Sequence, residues 1–120
     1  MSAPLPISVL LLARDEAANL EALLPALGFA REVVVVVDAA TRDATRAVAE
    51  RNGATVYERA LDGFGAQRRF ALERCREPWV LWIDADERLA AGAVAAIERA
   101  VGSEAAGFRL ARHSWFLGRR

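Results

Sequence analysis

Residues 7–13 (ISVLLLA) form a continuous apolar run between Pro6 and the polar cluster Arg14, Asp15, Glu16, the pattern of a strand buried on both faces. The period then changes. Leu20, Leu23, Leu24 and Leu27 recur at three- and four-residue spacing, which predicts one helix over 16–27 with a single apolar stripe, ending near Gly28. Glu32 is followed by five valines and Asp38. β-branched side chains are stiff at χ1, disfavoured in helices and suited to a pleat, so a central strand is predicted. Asp43 or Thr41 can cap a helix running to about Asn52, Gly53 stops it, and residues 54–57 follow as a short third strand. Past Gly63 and Gly65, a helix over 66–76 is expected to turn Phe70 and Leu72 inward before Pro78 breaks it. Residues 79–83 read as a fourth strand ending in Asp84, Ala85, Asp86 and Glu87, residues 90–101 as an alanine-rich helix, and 108–112 as a fifth strand.

Strand and helix in strict alternation imply an α/β class: a three-layer α/β/α domain around a mainly parallel sheet, because parallel neighbours need right-handed crossover connections. Ligands of such sheets sit beyond the carboxyl ends of the strands. Here those ends carry Arg14 to Glu16, Asp38, and Asp84 to Asp86. Carboxylates gathered there repel one another, and any phosphate, unless a cation intervenes.

Composition narrows the classes. With 120 residues, 54% hydrophobic and 27% charged, the chain has room for one compact domain. Its formal charge is zero, which leaves no electrostatic footprint for nucleic acid. The basic residues are all arginine and alanine is abundant, which reads as the coding bias of a GC-rich genome and weakens propensity arguments. A single cysteine, Cys75, and a single histidine, His113, allow neither an internal disulfide nor a structural zinc site, in keeping with a reducing cytoplasm. No apolar run reaches the length of a membrane span, so any membrane contact is expected to be peripheral or to lie outside this chain.

The familiar phosphate loops are missing. ARDEAAN stands where a dinucleotide-binding GxGxxG would follow the first strand, and no GxxxxGK[ST] occurs. Binding a diphosphate without a glycine-rich loop needs another source of positive charge, and Asp84 with Asp86 can supply one indirectly by holding Mg²⁺ or Mn²⁺, which take hard oxygen ligands. Plainer readings exist for the same residues. Asp84 and Asp86 could cap the following helix, Glu87 could be a first-turn helix charge, Asp38 could simply end its strand, and Asp43 reads best as a helix cap. Adjacent Arg68 and Arg69 point different ways on a helix, so at most one faces a pocket. Cys75, Trp79 and Trp82 read as packing and His113 as a loop residue, while Trp115 and Phe116, near Arg112 and Arg119, could line an acceptor groove or touch a membrane.

Taken in order, PISVLLLARDEAANL, VVVVVDAATRDAT, DGFGAQRRFAL, PWVLWIDADE and RLARHSWFLGRR resemble the inverting family 2 glycosyltransferases of GT-A fold, and within them the lipopolysaccharide core beta-1,4-glucosyltransferase-like branch. The resemblance implies that Asp38 contacts the base or ribose of a nucleotide-sugar, that Glu16 lines the same pocket, and that Arg68 faces the nucleotide. It further implies that Asp84 and Ala85 lie against ribose and diphosphate and that Asp86 ligates Mg²⁺ or Mn²⁺. The donor it implies is a UDP-hexose and the acceptor a cell-envelope glycan or glycolipid. Ala39, Ala40 and Arg42 depart from the usual Ser, Gly and Thr of the second motif. The general base is implied to lie beyond residue 120, which makes residues 1–120 the donor-binding part of a longer enzyme. Two alternatives stay open: a non-catalytic nucleotide-sugar-binding module, and a nucleotidyltransferase, although the latter usually carries a glycine-rich basic loop after the first strand.

Overall fold

The computed structural model of the chain describes residues 4–60, 63–102, 107–109 and 116–119. Four strands run parallel: β1 (Leu5–Ala13), β2 (Ala30–Asp38), β3 (Thr55–Arg59) and β4 (Trp79–Trp82). Two short strands, β5 (Gly107–Arg109) and β6 (Phe116–Arg119), extend the sheet beyond β4 in antiparallel fashion, giving the order β3-β2-β1-β4-β6-β5. The helices α1 (Ala17–Leu23), α2 (Thr45–Arg51) and α4 (Ala93–Val101) pack on one face, and α3 (Phe64–Arg74) packs on the other, so the three layers expected are present.

Alternation along the strands assigns each side chain to its layer. Ile7, Val9 and Leu11 of β1 and Val35 and Val37 of β2 face α1, α2 and α4, whereas Leu10, Val34 and Val36 face α3. All are buried, which explains why the two central strands show no hydrophobic alternation. Ser8 stands inside the first apolar run and is fully buried; its hydroxyl donates to Glu32 and accepts from the Glu77 amide at 3.0 Å, so it is not left unpaired.

Several boundaries differ from the sequence reading, each for a local reason. The helix expected over 16–27 divides into α1 and a 3₁₀ turn, Leu24–Leu27, because Pro25 lacks an N–H and crowds the preceding turn. Its stripe of Leu20, Leu23, Leu24 and Leu27 is nonetheless buried throughout. In α3 the inward residues are Gln67, Ala71 and Cys75, while Phe70 and Leu72, expected inside, are half-buried at the flanks. Small side chains let the helix approach the sheet, and the guanidinium of Arg74, 4.1 Å from the Phe70 ring centroid, covers the flank. Helix α4 begins at Ala93, not residue 90, because Gly92 takes a left-handed φ of 82° and sets the helix start despite the alanines before it. The strand expected over 108–112 is Gly107–Arg109. Strand β6 was not expected at all: four residues with one buried leucine, Leu117, leave little periodic signal. His113 and Trp115 lie outside the described residues.

Candidate functional site

Parallel pairing brings the ends of β1, β2 and β4 to one edge of the sheet. Ala13 is in register with Val37, and the Ile83 amide donates to the Leu10 carbonyl at 3.2 Å, so Arg14 to Glu16, Asp38 and Asp84 to Glu87 all emerge there. Six site residues were expected from sequence. The topology gathers five of them, Glu16, Asp38, Asp84, Ala85 and Asp86, on this edge. The sixth, Arg68, is exposed on α3, its guanidinium 4.4 Å from the centroid of Trp82, two residues before Asp84.

Asp38 ends β2 and is 6% exposed. Its Oδ1 accepts from the Ala40 amide at 3.0 Å, which curls the chain after the strand. Oδ2 is buried and, among the described residues, takes part in no hydrogen bond, although the exposed Arg14 guanidinium comes within 3.7 Å. Thr41 Oγ1 in the same turn is likewise buried and unpartnered, so Thr41 is not the helix cap it could have been from sequence. Buried oxygens left in this state are costly, by about 1–3 kcal/mol each, and are places where a ligand donor gains most.

The residues after β4 form a tight turn in which the Glu87 amide donates to the Asp84 carbonyl at 3.0 Å and Ala85 is buried. One carboxylate oxygen each from Asp84, Asp86 and Glu87 can meet within 4.8 Å of one another. Burial first, and then the negative charges of Asp86 and Glu87, push the Asp84 carboxyl above its ordinary range. Three hard oxygen donors that repel one another fit a divalent cation of the Mg²⁺ or Mn²⁺ kind. The capping alternative does not hold, because α4 starts at Ala93, well past Asp86. For the same reason Glu87 is no first-turn charge; it joins the carboxylate turn, a role the sequence reading missed.

Other residues missed from sequence tie the loops together. Glu16 accepts from Asn19 Nδ2 at 2.6 Å, Asn19 Oδ1 accepts from Arg88 at 2.9 Å, and Arg88 also donates to the Glu87 carbonyl at 2.8 Å. This path links the β1 loop to the carboxylate turn. Only a three-residue spacing between Glu16 and Asn19 hinted at it; the Arg88 contact spans most of the chain and leaves no local trace. Asp43 is not the cap expected of it, because Ala44 holds that position without a side-chain bond; one residue earlier, Asp43 forms an Asx turn in which Oδ1 accepts from the Thr45 amide at 2.8 Å and from the Thr45 hydroxyl, and Oδ2 accepts from the Ala17 amide at 3.1 Å.

These bonds, that of the Thr45 side chain foremost, hold the Asp43 carboxyl below its ordinary value of 3.8. A carboxyl depressed in the fold contributes stability that is complete above its unfolded value and is lost as the pH falls through the folded one. Asp43→Ala is therefore expected to lower the melting temperature at neutral pH. The gap from wild type should close as the pH drops below 3.8, and melting curves across acid pH check both points.

The chain aligns with known proteins over this same framework. The family model described as Glycosyl transferase family 2 matches residues 8–116. Lipopolysaccharide core biosynthesis glycosyltransferase LpsC of Rhizobium meliloti (strain 1021) is 32% identical over 122 residues, covering 95% of this chain and 44% of that protein. An uncharacterized glycosyltransferase of Rickettsia bellii (strain RML369-C) is 36% identical over 83 residues, 69% of this chain and 28% of that one. The chain thus spans less than half the length of either relative. The fold matches a solved mannosyltransferase, PcManGT from Pyrobaculum calidifontis in complex with GDP-Man and Mn²⁺, with a TM-score of 0.71 at 24% identity over 88% of this chain and 36% of that chain. The strand-end motifs, the three-layer sheet and a family match running from β1 into β6 converge: the chain belongs to glycosyl transferase family 2.

Proposed function

We propose that residues 1–120 are the nucleotide-sugar-binding part of an inverting glycosyltransferase that moves a hexose from UDP to a cell-envelope glycan or glycolipid such as the lipopolysaccharide inner core, working in the cytoplasm at the inner membrane face. The observation that carries this reading is the pairing, at one sheet edge, of a buried acceptor without a hydrogen bond, Asp38 Oδ2, with the carboxylate turn 84–87. The LpsC relative supports the acceptor class, and the GDP-Man and Mn²⁺ in the PcManGT structure support a nucleotide-sugar held with a cation.

The residues divide the donor between them. A carboxylate at Asp38 accepts hydrogen bonds, so it suits a base edge that presents N–H donors, as the ring N–H of uracil does. Glu16, already oriented by Asn19, faces the ribose side, and Asp84 with Ala85 faces ribose and diphosphate. Arg68, steadied on Trp82, adds positive charge toward the nucleotide. Asp86, with Asp84 and Glu87, would hold Mg²⁺ or Mn²⁺, which when bound neutralises charge developing on a leaving diphosphate. In the transfer the acceptor hydroxyl oxygen attacks the anomeric carbon from the face opposite the diphosphate. The bond to the diphosphate breaks, the configuration inverts, and a base takes the hydroxyl proton. We place that base beyond residue 120, in the length of the relatives that this chain does not span.

Calorimetric titration of UDP, GDP and CDP with and without Mn²⁺ tests the donor reading. UDP is expected to bind best and only with the cation; equal affinity in excess EDTA would sink the cation-assisted site. Incubating a form extended past Arg120 with UDP-glucose and a heptose-bearing core acceptor, and reading the anomeric linkage by NMR, tests the transfer.

A further inference from the structure

The geometry points to Asp15 as a positioning residue that clasps the turn after β2 and thereby places the Asp38 carboxylate for the nucleotide base. Asp15 sits just beyond β1 with φ of 51°, a left-handed conformation uncommon for a residue with a side chain, although aspartate tolerates it better than most. In that conformation its Oδ1 reaches across to the neighbouring loop and accepts from the amides of Arg42 at 2.8 Å and Asp43 at 3.2 Å. The reciprocal bonds run the other way, with Thr45 Oγ1 accepting from the Glu16 amide at 2.8 Å and Asp43 from that of Ala17.

Hydrogen bonds, not packing, hold the turn. Ala39, Ala40, Arg42 and Asp43 are exposed, so packing does not fix residues 39–43. Their position is set at one end by the Ala39 amide on the Arg59 carbonyl at 3.0 Å and by Asp38, through the Ala40 amide on Oδ1 and the Thr41 amide on the Asp38 carbonyl at 2.9 Å, and at the other end by Asp15 together with the Asp43 carboxylate on Thr45 and Ala17. Releasing the Asp15 end lets the Ala40 amide move, and with it the carboxylate whose Oδ2 is kept free. Asp15 is itself exposed and fills no core, so the geometry of this turn is what it contributes.

This inference rests on the reading that Asp38 meets the base. Asp15→Gly is an informative variant, because glycine adopts a φ near 51° without strain and removes the acceptor, while adding backbone freedom; Asp15→Asn keeps an Oδ1 acceptor. We expect Asp15→Gly to weaken UDP binding in the presence of Mn²⁺ by about tenfold or more, with affinity for Mn²⁺ alone unchanged and Asp15→Asn close to wild type. Amide exchange at Arg42 and Asp43 is expected to quicken in Asp15→Gly and recover in Asp15→Asn. Asp15→Ala, which removes the same acceptor without the added backbone freedom of glycine, carries the same paired measurement, also where Asp15→Gly does not fold. Unaltered UDP affinity overturns the inference, as does equal loss of UDP and Mn²⁺ binding, which would mark a general structural role. A wild-type chain that binds no UDP with Mn²⁺ present overturns the functional reading and this inference with it, whereas wild-type binding with an unaffected Asp15→Gly overturns this inference alone.

Discussion

Asp86→Ala is expected to lower cation-dependent UDP affinity by at least about 100-fold, since even the loss of a group behind a metal ligand commonly costs 10- to 100-fold. Asp86 is exposed and makes no packing contribution, so its removal should leave the melting temperature where it was or raise it. The reason lies in the turn itself. Asp84 is pushed toward its protonated form partly by Asp86, and with that neighbour gone the remaining repulsion in the turn is weaker. Loss of binding without loss of stability separates a ligand from a structural carboxylate. The same raised carboxyl at Asp84 makes a proton compete with the cation, so wild-type Mn²⁺ affinity should fall on acidification while the pH is still above the ordinary carboxylate value of 3.8. Paired calorimetry and melting experiments on wild type, Asp86→Ala and Glu87→Gln read all of this. Undiminished UDP affinity in Asp86→Ala would remove the carboxylate turn from the donor site.

What the amino-acid sequence disclosed followed from the range of its signals. The valine run and the 7–13 run announce central strands because burial on both faces demands apolar residues at every position, and Asp38 and Asp84 mark the strand ends because charge cannot continue into that core. The strand-end rule then points to the edge at which the topology gathers those carboxylates. Less was readable where one residue overrode its neighbours: Pro25 cut the first helix and Gly92 delayed the last, against an apolar stripe and an alanine-rich stretch that both argued for longer helices. The clasp of Asp15 on Arg42 and Asp43, and the path from Glu16 through Asn19 to Arg88, were not readable, because hydrogen bonds between loops distant in sequence have no period. Glu87 was misjudged for a related reason. Its meaning depended on where α4 begins, and helix boundaries are the least certain feature of a sequence pattern.

Asp38→Ala is expected to reduce affinity for UDP by about 100-fold while leaving the fold as stable as wild type or more so. Two opposed effects decide the sign of the second quantity. Asp38 Oδ1 supports the turn through one bond to the Ala40 amide, and Ala40 is exposed, so water replaces that bond at small cost. Among the described residues Oδ2 is buried without a hydrogen bond, and the exposed Arg14 guanidinium at 3.7 Å is too solvated to repay desolvation in full. Removing the carboxylate therefore removes more penalty than support. Such a residue is kept for what it binds, and sites of this kind commonly sacrifice stability for function. On the proposed donor reading the same oxygen would gain a base N–H in a water-poor setting, a hydrogen bond to a charged group worth about 1.5–3 kcal/mol, which at its upper end is the 100-fold loss expected. Because the base and not the diphosphate is addressed, the Mn²⁺ affinity of the carboxylate turn should be unmoved. Calorimetry with UDP and with Mn²⁺ alone, set beside thermal melts, checks the three expectations together; a variant that melts several degrees lower and loses both ligands would show Asp38 to be a structural carboxylate at the end of β2.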